Sequence, residues 1–393
     1  MTQNAIVIVS AARTPMGGLQ GIFKDVRSPE LGSAAIGAAL QRSGLSVDQV
    51  DEVVMGCVLP AGLGQAPARQ ASRGAGLPDS VGCTTINKMC GSGMKAVMYA
   101  HDQIKAGSAQ VMIAGGMESM SQSPYLLPKA RVGMRMGHGQ VIDSMFFDGL
   151  EDAYEGGLMG TFAQQTADDY KLSREAMDDF AISSLEKSLA AIESGGFADE
   201  ITGVPVKSRK GEVMVDIDEQ PGNARLDKIR SLRPAFKKDG TVTAANSSSI
   251  SDGASALLLM TEQEAARRGL TPLARIVAHS THAQKPAEFT IAPIGAVQKV
   301  LEKAGWSKED VDLFEINEAF AVVSMLAISE LGLDADKVNV HGGACALGHP
   351  IGSSGSRILV SLLYALKQRG LSNGVASLCI GGGEATAMAV ELI

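Results

Sequence analysis

Val111-Met112-Ile113-Ala114-Gly115-Gly116-Met117-Glu118 and Leu378-Cys379-Ile380-Gly381-Gly382-Gly383-Glu384 are one phrase written twice, with their closing glutamates 266 residues apart. Each copy is a short apolar run that stops at glycines, which reads as a buried strand meeting a turn or a close backbone approach. Working outward, further pairs keep the same order. Ser43-Gly44-Leu45-Ser46 leads through Gln49-Val50-Asp51 into Glu52-Val53-Val54-Met55. Ala304-Gly305-Trp306-Ser307 leads through Asp310-Val311-Asp312 into Leu313-Phe314-Glu315-Ile316, at an offset of 261 residues between the Val-Asp pairs. Cys90-Gly91-Ser92-Gly93 opens a stretch with Met94, Val97, Met98, His101 and Ile104 at helical spacing, stopped by Gly107. Gly352-Ser353-Ser354-Gly355 opens its counterpart, with Ile358, Leu359, Leu362, Leu363 and Leu366, stopped by Gly370. Three ordered matches at a nearly constant offset point to a duplication.

Each half alternates short apolar or β-branched runs (Ile6 to Val9, Val53 to Met55, Val111 to Ile113) with helical patterns. This predicts α/β units whose helices pack on mostly parallel sheets. Residues 1–118 form the first half, completed by about 250–270, and residues 271–393 form the second. Between them, residues 119–249 lose the pattern. Met134-Arg135-Met136-Gly137, polar helices around Glu175 to Ile192 and a charged segment from Lys207 to Lys238 read as an inserted, partly helical lid. Two halves facing one another create a crevice at strand ends, where such folds hold ligands.

Composition excludes several function classes. A net charge of −8 argues against a nucleic-acid partner, although a local group of Lys and Arg could still hold a phosphate. Apolar runs such as Ala256 to Met260 fall well short of the roughly 18 residues that span a bilayer. Met1 to Asn4 lacks a basic region followed by a long apolar stretch, so no secretion signal is expected. The five cysteines (57, 83, 90, 345 and 379) show no CxxC spacing, so they read as cytoplasmic thiols rather than crosslinks or zinc ligands.

Attention therefore falls on reactivity. Cys90 follows the strand-like run Cys83 to Asn87 and precedes a helix, a place where exposed N–H groups and the helix dipole lower a thiol's pKa. By position it is a nucleophile or a buried structural cysteine. His349 sits among glycines in Gly342 to Gly352, on an irregular, close-packed loop stiffened by Pro350; the plainer reading is a turn histidine exposed to solvent. Cys379 ends a strand against three glycines whose N–H groups could bind an oxyanion; the plainer reading is a small core residue. Asn317, after the strand Leu313 to Ile316, caps a helix or aims its amide at a substrate oxygen. His341, Cys345 and Cys57 read as packing, and His279 and His282 carry no chemical signature.

Taken together, Asn87-Lys88-Met89-Cys90-Gly91-Ser92-Gly93, Asn317-Glu318-Ala319-Phe320, Gly348-His349-Pro350 and Cys379-Ile380-Gly381-Gly382-Gly383 resemble the thiolases. The likeness spans the chain, including Ala11-Ala12-Arg13-Thr14-Pro15 and Leu232-Arg233-Pro234-Ala235-Phe236. It implies an α/β, five-layered αβαβα fold of two duplicated halves with a loop domain, assembled as a dimer or a homotetramer (a dimer of dimers). Implied roles follow the motifs. Cys90 attacks a thioester and holds the acyl group while His349 takes its proton, and Cys379 moves a proton at the methyl of a second acyl-CoA. His349 and Asn317, acting through a water, form one oxyanion site; the N–H groups of Cys90 and Gly381 form the other. Met159 matches the acyl-pocket position, within Leu158-Met159-Gly160 where many short-chain members carry His-Met-Gly. Phe236, Ser248 and Phe320 belong with the substrate, and Arg225, Lys228 and Arg230 are candidates for the nucleotide phosphate.

The implied activity is acetyl-CoA C-acetyl transfer, joining two acetyl-CoA into acetoacetyl-CoA and CoA. Coenzyme A thioesters are substrates, and no cofactor, metal, nucleic-acid or membrane partner is expected. Broader-chain 3-ketoacyl-CoA cleavage in fatty acid metabolism is the alternative. A non-catalytic acyl-CoA-binding protein is disfavoured by Cys90, His349 and Cys379 together. A decarboxylating condensing enzyme is disfavoured by Cys379, which that class lacks.

Overall fold

The computed structural model describes residues 5–208 and 211–393. Met1 to Asn4, and Arg209 and Lys210 of the charged lid segment, lie outside the described residues. The first half runs β1 (Ile6–Arg13), α1 (Ser28–Ser43), β2 (Glu52–Gly56), α2 (Pro67–Gly74), β3 (Gly82–Ile86), α3 (Ser92–Ala106) and β4 (Val111–Ser119). The chain then leaves for the lid, whose longest helices are α4 (Met159–Asp169) and α5 (Arg174–Glu193), and returns as β5 (Ser251–Thr261). The second half runs β6 (Ala274–Ala283), α6 (Ala292–Ala304), β7 (Leu313–Ile316), α7 (Ala321–Leu331), α8 (Ile351–Arg369), β8 (Asn373–Ile380) and β9 (Glu384–Leu392).

These nine strands lie in the order β7-β8-β9-β6-β1-β5-β4-β2-β3. Among the described residues, the strands of the two halves pair at β1 and β6 through only Val7↔Arg275 and Ile8↔Ala274, so the sheet is two sheets joined at a seam. Apolar residues of both sheets close on a middle layer made of α3 and α8, including Met94, Val97, Leu359, Leu362 and Leu363. Separate cores lie outside, one between the first sheet and α1–α2, the other between the second sheet and α6. Five layers result. In α8 every residue from Ile351 to Leu366 is buried, because it has sheet on one side, sheet on the other and α3 beside it. The apolar stripe read from the sequence is therefore only part of its buried surface.

The expectation of mostly parallel sheets is corrected. Only β2–β3, β2–β4 and β7–β8 are parallel. Strands β4–β5, β5–β1, β1–β6, β6–β9 and β8–β9 are antiparallel. The reason is local in the second half, where three residues separate β8 from β9 and a link that short joins only antiparallel neighbours. In the first half β5 keeps that direction, with the lid standing where the second half has a turn. Among the described residues, no helix is long and apolar enough to cross a membrane.

Candidate active site

The turn before α3 is built to present a side chain. Met89 holds a left-handed φ of 47°, a conformation that costs a non-glycine residue roughly 1–2 kcal/mol. Neighbouring groups hold it there: Met89 N–H donates to Asn87 Oδ1 (2.9 Å), Lys88 N–H to Ser92 Oγ (2.8 Å), and Ser92 Oγ–H to the Met89 carbonyl (2.6 Å). Cys90 follows at the tip. At Gly91 a Cβ would lie 2.4 Å from Ile380 Cδ1, so the bare glycine lets the end of β8 approach. That approach brings Cys379 beside Cys90.

Cys90, Cys379, His349 and Gly381 line one cavity of about 470 Å³, together with Met159, Phe236, Phe320 and Ser248. Most of the wall is apolar, with Phe146, Leu158, Phe289 and Ile351 among its residues. Phe320 stands edge-on to Phe236 and Phe289, with centroids 6.2 and 6.4 Å away. Ser248 N–H and Oγ–H both donate to the Ala319 carbonyl (2.9 Å each), fixing the end of the lid against the Asn317–Phe320 loop.

His349 is anchored through its backbone N–H to the Ser249 carbonyl (3.2 Å) and Ser251 Oγ (3.1 Å). Its Nδ1 lies 2.5 Å from Ser354 Oγ, which itself donates to the Pro350 carbonyl at 3.0 Å. With the hydroxyl proton spent on Pro350, Ser354 accepts from Nδ1–H. That fixes the tautomer and leaves Nε2 as a lone pair. Nε2 is buried with no hydrogen-bond partner among the described residues. Burial, and then the Arg357 charge, push the imidazole down to about 3, so it rests neutral.

The electrostatics correct the expectation of a lowered thiol pKa. Burial pushes Cys90 up to about 11, against hydrogen bonds to its sulfur from the Gly381 and Cys90 N–H groups. A helix start is present, but the apolar cavity around the half-buried sulfur and a neutral imidazole outweigh it. Burial, with the neighbouring Cys90 sulfur, also holds Cys379 well above the usual thiol range. Both sulfurs rest protonated.

Asn317 does not line this cavity. It lies buried at the end of β7, where Oδ1 accepts from Arg357 Nη2 (3.3 Å) and Nδ2 has no partner among the described residues. It does not cap α7, which starts after Phe320. Arg225 and Lys228 line a second cavity of about 590 Å³ that shares Ala244, Ser249 and Ile250 with the first. Arg225 is exposed and pairs with Asp227 (3.2 Å); Arg230 pairs with Asp179 and lines neither cavity.

Three supporting residues escape the sequence reading: Ser354, Arg357 and Glu118. Ser354 stands in the quoted Gly352–Gly355 stretch, five residues after His349, and that spacing is the one local signal. Buried Glu118 accepts from the N–H groups of Val58 (2.9 Å), Leu59 (3.2 Å) and Gly352 (3.0 Å), tying the first half to the start of α8.

Comparison with known proteins agrees with this architecture. Residues 6–263 match the family described as "Thiolase, N-terminal domain" and residues 270–392 "Thiolase, C-terminal domain". An acetyl-CoA acetyltransferase of Rhizobium meliloti is 52% identical over 392 residues, covering 100% of both chains. One from Pseudomonas aeruginosa is 50% identical over 385 residues, covering 98% of each. A crystal structure of the Bacillus anthracis acetyl-CoA acetyltransferase superposes with a TM-score of 0.97 at 43% identity, covering 100% of this chain and 99% of that one. With both halves matched end to end and the fold reproduced, this chain belongs to the thiolase family.

Proposed function

We propose that the protein is an acetyl-CoA C-acetyltransferase, reversibly joining two acetyl-CoA into acetoacetyl-CoA and CoA through an acyl group on Cys90. The observation that carries this reading is two sulfurs, Cys90 and Cys379, lining one apolar cavity with an unpartnered imidazole nitrogen. The names of full-length relatives support the acetyl substrate.

His349 Nε2 takes the Cys90 proton as the sulfur attacks the thioester carbonyl. The departing CoA thiolate takes a proton from Cys379, which is left as a thiolate. A thiolate in so dry a site is a strong base, and it removes a proton from the methyl of the second acetyl-CoA. The resulting carbanion attacks the acyl carbonyl, Cys90 leaves, and His349 returns its proton; both thiols are restored. The N–H groups of Cys90 and Gly381 stabilise the oxygen that becomes negative on the acyl carbon, at roughly 2.7–4 kcal/mol per donor. His349, and Asn317 Nδ2 reaching through a water from outside the cavity lining, stabilise the enolate oxygen. Met159, Phe236, Phe320 and Ser248 flank the acyl and pantetheine arm, while Arg225 and Lys228 meet the nucleotide phosphates in the adjoining cavity. No prosthetic group enters these steps.

Leu158 on the cavity wall supports a second reading, tolerance of longer 3-ketoacyl chains in fatty acid metabolism. Homotetramer formation, as a dimer of dimers, is supported by the exposed apolar lid residues Tyr125, Leu127, Val132, Met136 and Val141. A cytoplasmic location accords with five unpaired thiols. The deciding experiment pairs Cys379→Ser with labelled acetyl-CoA: the variant takes up one acyl group and fails to condense it. Full turnover would remove the role of Cys379. Rates on acetoacetyl-CoA against longer 3-ketoacyl-CoA separate the two substrate readings.

A further inference from the structure

Away from the acyl cavity, β6 of the second half brings His279 against α3 of the first. His279 Nε2 lies 3.0 Å from Asp102 Oδ1 and 3.2 Å from His101 Nδ1, and His101 Nδ1 lies 2.9 Å from the same oxygen. The two rings stand at 87°, with centroids 4.9 Å apart. Two imidazole nitrogens and one carboxylate oxygen thus form a nearly equilateral triangle.

Such a triangle has the dimensions of one face of a metal coordination shell. With metal–ligand bonds of about 2.1 Å, adjacent ligands stand about 3.0 Å apart around a six-coordinate ion and about 3.4 Å around a tetrahedral one. Protons alone explain the arrangement less well. With both nitrogens protonated, two N–H groups face each other along the nitrogen–nitrogen edge; with one protonated, the lone pair of the other faces the Asp102 oxygen; a metal instead accepts a lone pair from each. The donor set also selects the ion. One carboxylate, with Lys303 Nζ donating to the His279 carbonyl nearby (3.1 Å), offers too little negative charge for Ca²⁺ or Mg²⁺. Paired imidazoles with one carboxylate suit a borderline transition metal.

We propose that His101, Asp102 and His279 hold a first-row divalent transition-metal ion such as Zn²⁺, its remaining positions filled by water, and that the ion clamps α3 to β6. His101 is buried and Asp102 exposed, so the ligands are fixed from inside while the ion enters from solvent. The site is separate from the chemistry: at 1.5 Å per residue, His101 lies about 14 Å along α3 from Ser92. It joins the first half to the second, so occupancy stabilises their docking and leaves the acyl cavity alone.

Tag-free protein titrated with Co²⁺ and with Zn²⁺ tests this. We expect saturable one-to-one binding in the micromolar range, weak visible cobalt bands of nitrogen and oxygen ligation, and a melting temperature that rises with metal concentration. His279→Asn and Asp102→Asn each weaken binding at least tenfold, while metal-free melting and acyl transfer stay as in the parent. Absence of saturable binding, or equal affinity in the variants, overturns the proposal. Intense near-ultraviolet charge transfer in place of the weak bands also overturns it, because that marks thiolate ligation. Should His279→Asn fail to fold, Asp102→Asn, a change at an exposed carboxylate, carries the comparison alone.

Discussion

The glycines of the duplicated phrase are used differently in the two halves. In β4 a Cβ on Gly116 would sit 2.0 Å from the Gly352 carbonyl oxygen, so the missing side chain lets the start of α8 press against the strand. Gly382 and Gly383 instead have φ of 94° and 86° and reverse the chain into β9, Gly383 also admitting the Gln284 and Lys285 carbonyls. The closing glutamates diverge in the same way. Glu118 is buried under three backbone donors, whereas Glu384 is partly exposed and pairs with Lys88, two residues before the nucleophile. One copy became scaffold and the other became the wall of a reaction chamber. Duplication supplied two similar frames, and the difference between them carries the chemistry.

The division is broken most directly at the one reacting atom that the first half contributes. Cys90→Ala is expected to lower condensation on the order of 10⁴-fold and to abolish retention of labelled acetyl groups on the protein. Label retained by that variant would move the nucleophile elsewhere. Next comes Gly116→Ala, where the clash is with backbone that cannot rotate away. It should destabilise by more than about 3 kcal/mol in urea unfolding; an unshifted midpoint would refute the close approach.

A third test sharpens the electrostatic side. With the Cys90 thiol pushed up to about 11, its ionised fraction grows tenfold per pH unit through neutrality. Iodoacetamide inactivation should therefore accelerate about 100-fold between pH 7 and 9 without levelling. A plateau near pH 7 would mean that His349 ionises the thiol before any substrate arrives. The smallest effect belongs to Gly382→Ala. Nothing lies within 4 Å of the added carbon, so only backbone strain remains, about 1 kcal/mol by thermal melt.

Strand and helix order was legible because apolar periodicity and glycine stops are local signals. Strand direction was not, since a period-2 or apolar run reads alike in parallel and antiparallel pairs. The positions of Cys90, His349 and Cys379 stood out in their motifs, but the resting state of their protons did not. A helix start can be read from Gly91-Ser92-Gly93; the burial that overrides it comes from Val58, Leu59 and Ile351, distant in sequence, and from Met145 of the lid. Ser354 and Arg357 act from beneath other residues, which no spacing rule encodes. His101 and His279, 178 residues apart, meet only because two sheets share a middle layer.

That shared layer has a consequence for how the protein is made. Helix α3 leaves the ribosome some 250 residues before α8, the element that covers it. At about 5–20 residues per second, the growing chain carries a bare apolar surface for roughly half a minute. Chaperone dependence during synthesis, and aggregation of fragments that end within the lid, follow from placing the last long helix at the molecule's centre.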